Sequence, residues 1–360
     1  MTQGLEGVVA ASTRLSLVDG EAGRLVIAGY LVDDLAPRAT FEEVVYLLLH
    51  GRLPDDTERA ALTADLAQRR TLPPIAAAVL RAAADARTPP MDALRMVVPL
   101  LSLGRRGDPM DDALTAIAAF PTIVGAYWRT LSGEAPVPVR TDLGHAAHYL
   151  HQLFGVAPSA ERARGLETYL NTVCDHGFNA STFTARVIVS TQSDVISALT
   201  GAVGALKGPL HGGAPGPALD MVFDIGSADR AEAGIRARLD RGERLMGFGH
   251  RVYRVRDPRA DVLKGAIERL AGEGADLPFA GEVEAYIRSA LRIKNPERPL
   301  DTNVEFFTAI LLDALKIPRQ AFTPIFAVAR VAGWTAHARE QQRGGRLIRP
   351  SSAYIGPMPG

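Results

Sequence analysis

Apolar residues recur along most of this chain at intervals of three and four, the spacing that lines one face of an α-helix. Short clusters of Gly, Pro, Asp and Ser interrupt them. The pattern is clearest at Thr40-Phe41-Glu42-Glu43, a capping box in which a hydroxyl and a carboxylate each satisfy an amide of the first turn; it leads into an apolar run and stops at Gly51. The same reading predicts helices over roughly 56–69, 74–86, 91–103, 109–131, 142–154, 158–175, 179–190, 193–206, 215–225, 229–241, 258–272, 279–292, 302–315 and 323–342. One short region instead reads as strands: Arg14–Val18, a turn at 19–23, then Arg24–Ile27, a small β-hairpin. The expected fold class is all-α with that hairpin near the amino terminus.

The segment 194–206 is apolar nearly all round, which suits a core or an interface. Its Gly201, Ala202, Gly204 and Ala205 let another helix approach closely, inside the subunit or across a two-fold axis. No repeat or low-complexity tract appears. The joints fall in the glycine and proline loop at 212–217 and in the segment leading into Thr323-Pro324.

Length changes this picture by allowing a large domain or two domains, since 360 residues with 47% hydrophobic content can bury a substantial core. Forty basic residues balance forty acidic ones, so nothing points to nucleic acid or a membrane surface, and any anion binding must be local. The first residues lack a basic segment followed by an apolar run, and no apolar stretch approaches the length of a membrane span, so the expected location is the cytoplasm. Cys174 stands alone and admits neither an internal disulfide nor a cysteine metal cluster.

The chemistry concentrates in 247–259, Gly-Phe-Gly-His-Arg-Val-Tyr-Arg-Val-Arg-Asp-Pro-Arg. Gly247 and Gly249 clear side chains from beside His250, while Asp257 caps a helix whose first residue is Pro258, setting Arg259 where amides and a guanidinium can both meet a carboxylate or phosphate. Lys207-Gly208-Pro209-Leu210-His211-Gly212-Gly213 places a second histidine on a glycine-rich loop. Asp175-His176-Gly177-Phe178-Asn179 joins two helices, and Asn303-Val304-Glu305-Phe306 carries a lone acid beside apolar residues. Arg330 lies within an apolar helix, where an unpaired guanidinium is costly and needs an anion from the protein or from a ligand. Arg346 and Arg349 follow in a carboxy-terminal loop. Each has a plainer reading: His176 as a structural imidazole, Glu305 as a solvated helix acid, Cys174 as packing rather than a nucleophile.

Together these motifs resemble the citrate synthase family, over almost the whole chain and in the family's order. The resemblance implies a homodimer whose subunits each have a large helical domain, 1–215 with 311–360, and a smaller one, 216–310, that closes over the substrates. It implies an acyltransferase of the tricarboxylic acid cycle that condenses acetyl-CoA with oxaloacetate and hydrolyses the thioester, with CoA thioester as substrate and neither metal nor redox cofactor. By position, His211, His250 and Glu305 are catalytic; His176, Arg259, Arg330 and Arg349 hold oxaloacetate, Arg349 reaching in from the partner subunit. Leu245, Met246, Gly247, Phe248 and Gly249 would cradle the CoA adenine, with Arg254, Arg256 and Arg298 as candidates for its phosphates.

The chain departs from the pattern at Glu305, where the family's base is aspartate; a methylene moves the carboxylate by about 1 to 1.5 Å, enough for about 100-fold in rate. His148 and Pro89 replace a usual asparagine and histidine, and Cys174 a usual alanine. Two alternatives within the family stay open, a 2-methylcitrate synthase using propionyl-CoA and a weakly active regulatory paralogue that binds oxaloacetate. A third, acyl transfer through Cys174, lies outside it.

Overall fold

The computed structural model describes residues 3–5, 7–102, 108–211, 215–225, 228–243, 245–250, 252–270, 277–294 and 300–359. Three antiparallel strands, β1 (Ser16–Asp19), β2 (Arg24–Ile27) and β3 (Tyr30–Leu31), come first, with Leu17 opposite Val26 and Val26 opposite Leu31. The expected hairpin thus gains a third strand, too short to show a period of its own.

Sixteen α-helices follow among the described residues: α1 (Val32–Leu35), α2 (Phe41–His50), α3 (Asp56–Gln68), α4 (Pro74–Asp85), α5 (Pro90–Val97), α6 (Pro109–Leu131), α7 (His145–Phe154), α8 (Ala160–Val173), α9 (Ala180–Ser190), α10 (Val195–Leu206), α11 (Pro215–Ile225), α12 (Ala228–Asp240), α13 (Pro258–Arg269), α14 (Leu277–Lys294), α15 (Val304–Ala314) and α16 (Phe322–Gly344). The all-α expectation holds. The capping box forms as read, Thr40 accepting from the Glu43 amide and Glu43 from that of Thr40. Asp55, Ser159, Asn179, Asp194, Asp257 and Asn303 cap later helices through their side chains.

Several boundaries shift by two or three residues, and two of the departures have clear local reasons. The segment expected to run from 91 to 103 divides into α5 and a 3₁₀ turn at Val98–Ser102, because Pro99 has no amide to continue the ladder. The helix expected from 142 starts at His145, after Gly144 as N-cap. α1, a single turn, was below what periodicity resolves.

α16 is the central post: Phe322, Ile325, Val328, Val331, Trp334 and Ala338 are all buried, and it packs on α6, α8, α9 and α10. That surrounding explains why α16 has no polar face. α13 packs on α8 and α15, so the helices bearing Arg259 and Glu305 stand side by side.

Candidate active site

The loop between α8 and α9 carries His176. Beneath it Asp175 is fully buried and contacts His337 Nε2 on α16 at 3.2 Å, which anchors the loop to the post. His337 Nδ1 lies 2.7 Å from Arg186 Nη1, which also meets Glu340 at 2.7 Å. Arginine only donates, so His337 Nδ1 accepts and Nε2 carries the proton offered to Asp175.

His250 is held by its own loop. The Val252 and Tyr253 amides both donate to Nδ1 at 3.0 Å, leaving the proton on Nε2. The loop joins the start of α15 through a short ladder: the Gly249 amide donates to Asp301 O at 2.8 Å, Asn303 N to Gly247 O at 2.9 Å, and Asn303 Nδ2 to Gly249 O at 2.7 Å. Gly247 has φ +85°, and a Cβ there would stand 2.8 Å from that of Phe306, so this approach requires glycine. Asp257 fastens the assembly, accepting from Val304 N at 3.1 Å and gripping Arg259 by Nε at 3.0 Å and Nη2 at 2.8 Å. Arg259 Nη2 also lies 3.4 Å from His250 Nε2; with the proton on that nitrogen both groups are donors, so they stand side by side without a hydrogen bond between them.

His211 ends the turn after α10. The Ser181 amide donates to its Nε2 at 3.3 Å, and Ser181 Oγ lies 2.7 Å from the same nitrogen. Trp334 Nε1, a donor only, fills one lone pair of that hydroxyl at 3.0 Å, and Asn179 Oδ1 stands 2.8 Å away. The amide can only donate, so where the one hydroxyl proton of Ser181 goes to Nε2 rather than to Asn179 Oδ1, Nε2 is the acceptor and the imidazole proton sits on Nδ1.

Arg330 is 1% exposed, with Nε donating to Val173 O at 2.7 Å and its guanidinium 4.5 Å over Phe326. No carboxylate pairs with it among the described residues, and burial pulls its pKa down to about 10. Its field, with that of Arg259, reaches every other member of the cluster. Burial first, then Arg330, lowers His211 to about 4; burial, then Arg259, lowers His250 to about 4; His176 falls well below its ordinary value from burial, Arg259 and Arg330. All three imidazoles are neutral at neutral pH. Glu305 moves the opposite way, pushed up to about 7 by burial, with Arg259 opposing, Asp257 reinforcing and Arg330 opposing. Its amide donates to Asn303 Oδ1 at 2.9 Å. Six side chains from five parts of the chain are therefore linked: the His176 and His250 rings stand 5.6 Å apart, Arg259 lies beside His250, and the fields of Arg259 and Arg330 reach His176 and Glu305, that of Arg330 also His211.

Other expected members lie elsewhere. Arg349 is exposed in the carboxy-terminal segment, on a separate cavity of about 690 Å³ shared with Arg14, Phe183, Arg186, Glu340 and Arg346. Arg256 is engaged by Glu284, by Asp261 at 2.7 Å and by Asp301 at 3.6 Å, so those carboxylates already hold the charge expected to meet a phosphate. Arg254 is exposed with no side-chain partner among the described residues. Arg298 lies outside the described residues, as do Gly212 and Gly213. Leu245 and Phe248 are buried and Met246 half-buried; the amide and carbonyl of Phe248 point away from the ladder, leaving one backbone edge open. Cys174 is fully buried, and burial with Asp175 pushes its thiol up to about 12, a setting that disfavours the thiolate a nucleophile needs. Sequence reasoning missed Ser181, Trp334 and Tyr253; only the capping role of Asn179 hinted that Ser181 begins a helix beside a functional loop. Among the described residues no group of three His, Cys, Asp or Glu is placed to hold a metal, and no helix is long and apolar enough to cross a membrane.

The family model described as citrate synthase, C-terminal domain, matches residues 4–351. The chain is 40% identical over 370 residues to the citrate synthase of Haloferax volcanii, covering 99% of this chain and 96% of that protein. It is 40% identical over 366 residues to the 2-methylcitrate synthase of Shewanella oneidensis, covering 99% and 95%. The citrate synthase of Thermoplasma acidophilum, solved as a ternary complex with carboxymethyl coenzyme A and oxalateacetate, superposes with a TM-score of 0.89 at 30% identity over 100% of this chain and 97% of that one. The chain belongs to the citrate synthase family of acyltransferases.

Proposed function

We propose that this protein condenses acetyl-CoA with oxaloacetate and hydrolyses the resulting thioester to citrate and CoA. The observation that carries the reading is Arg330, a buried guanidinium without a carboxylate partner among the described residues, whose field reaches neutral His176 and His211 and the acid Glu305. A buried unpaired cation calls for an anion, and planar guanidinium groups suit carboxylates. Arg330 and Arg259 hold the oxo diacid, with His176 beside it. His250 Nε2–H points at the keto oxygen and supplies the proton as that oxygen becomes an alkoxide. Glu305 takes a proton from the thioester methyl, and His211 Nδ1–H stabilises the enolate oxygen. The enolate carbon attacks the keto carbon, and water then cleaves citryl-CoA.

In this reading the loop 245–249 receives the adenine on the open Phe248 edge, Arg254 is the remaining described candidate for a phosphate, and no metal or redox group takes part. The domains divide as 1–215 with 311–360 and 216–310, the protein works as a homodimer in the cytoplasm, and Arg349 enters the partner's site. The position of Arg349 outside its own cluster supports that last assignment. A propionyl-CoA preference, giving 2-methylcitrate, is the second reading, motivated by the relative of that activity.

The test follows free thiol release from acetyl-CoA or propionyl-CoA with oxaloacetate, for wild type and the E305A, C174A and R349A variants. Loss in E305A with retention in C174A is expected. Oxaloacetate binding without turnover would establish the regulatory reading instead. Mixing inactive R349A with inactive H250A subunits should restore part of the activity; no recovery in confirmed mixed dimers would place Arg349 outside the partner's site.

A further inference from the structure

Tyr253 has no part in the reaction as written, yet it touches both histidines assigned to the oxo acid. It is 3% exposed. Its hydroxyl lies 3.2 Å from His176 Nε2, and its amide donates to His250 Nδ1 at 3.0 Å. The ring stands 4.7 Å from that of His250 and 5.6 Å from that of His176, edge-on to the latter at 68°, with the Arg259 guanidinium 5.9 Å over it. The segment is braced from outside: Arg254 N donates to Gly20 O at 2.8 Å, and a Cβ on Gly20 would collide with Val252 O at 2.3 Å. The turn between β1 and β2 thus holds the Tyr253 backbone in place, while Ser16 Oγ accepts from Gly177 N at 2.9 Å and holds the His176 loop from the same strand.

From this geometry we infer that Tyr253 is a positioning residue for the oxo diacid, its hydroxyl fixing the His176 ring and its amide the His250 ring so that both imidazoles address one ligand. The inference rests on the proposed oxaloacetate site. A phenol serves this task in either tautomer of its partner. If His176 carries its proton on Nδ1, the phenol donates to Nε2 and Nδ1–H is left over; if on Nε2, that N–H donates to the phenol oxygen and the phenolic proton is left over. In both cases the pair offers a single oriented donor. Without the hydroxyl, His176 Nε2 loses the side-chain partner that sets its rotation about χ2, and the ring turns between two broad wells.

Tyr253→Phe tests this, because it keeps the ring packing and the amide and deletes only the hydroxyl. The expected result is a KM for oxaloacetate, and a calorimetric Kd for the same ligand, raised about tenfold, with the KM for acetyl-CoA and the kcat within about threefold of wild type. Long-range ¹H–¹⁵N spectra of the histidine rings should show the His176 tautomer ratio shifted and that of His250 unchanged. Wild-type oxaloacetate affinity in Y253F, or unchanged His176 resonances, overturns the inference. If wild type itself binds no oxaloacetate, it is the proposed function that fails; if wild type binds and turns over while Y253F matches it, Tyr253 alone is misassigned.

Discussion

Replacing Glu305 with aspartate restores the family's usual base, and the structure gives reason to expect a slower enzyme rather than a faster one. The backbone at 305 is fixed: its amide donates to Asn303 Oδ1, Asn303 is tied to Gly247 and Gly249, and the next amide back, that of Val304, donates to Asp257. Phe306 on the following position is fully buried against Phe248, so α15 cannot advance to carry a shorter side chain forward. The carboxylate therefore retreats by about 1 to 1.5 Å, and a shift of that size costs about 100-fold in kcat. The assay is thiol release at saturating oxaloacetate, with oxaloacetate binding measured separately and expected to be unchanged. The pH profile adds a check. With Glu305 ionising at about 7, about a tenth of the free enzyme carries the base at pH 6 and about nine tenths at pH 8, so kcat/KM should rise across that interval in wild type. An E305D enzyme as fast as wild type, or faster, would show that the pocket is not shaped around glutamate, and a flat profile would remove Glu305 as the base.

Three further outcomes follow from the same geometry. Because burial raises Glu305 from 4.5 to about 7, the protonated acid favours the fold; that contribution is complete below pH 4.5 and is lost as pH rises through 7. Glu305→Gln should thus match wild-type stability at pH 4 and exceed it by up to about 3 kcal/mol above pH 8 in denaturant titrations, while lowering kcat by about 1000-fold; equal stability at pH 8 would contradict the shift. Ser181→Ala leaves the amide contact to His211 but removes the hydroxyl 2.7 Å away, and should lower kcat by about tenfold to 100-fold with little change in oxaloacetate affinity; an unchanged kcat would mean the backbone alone orients His211. Gly333→Ala would put a methyl 2.3 Å from Cys174 O and 2.6 Å from Asp175 Oδ1, and should destabilise the protein by about 1 to 3 kcal/mol; a neutral effect on the melting temperature would show that α16 yields there.

Much of the architecture was legible residue by residue. Thr40 with Glu43 and Asp257 with Pro258 mark helix starts through contacts within three positions, and both cap as read. The glycines around His250 read as room for a ligand, whereas the structure uses the space beside Gly247 for Phe306 and that beside Gly249 for Leu300. The chemistry of the site needed the fold. Ser181 meets His211 across 30 positions, Trp334 meets Ser181 across 153, and Tyr253 meets His176 across 77. Arg256 and Arg330 were both read as meeting a ligand anion, yet three carboxylates engage the first and, among the described residues, none pairs with the second. Capping and periodicity are properties of neighbours along the chain, so the amino-acid order determines them directly. Which nitrogen holds a proton, which guanidinium is left for a ligand, and whether an acid ionises near neutrality depend on desolvation and on partners through space, and those are decided only when distant segments pack.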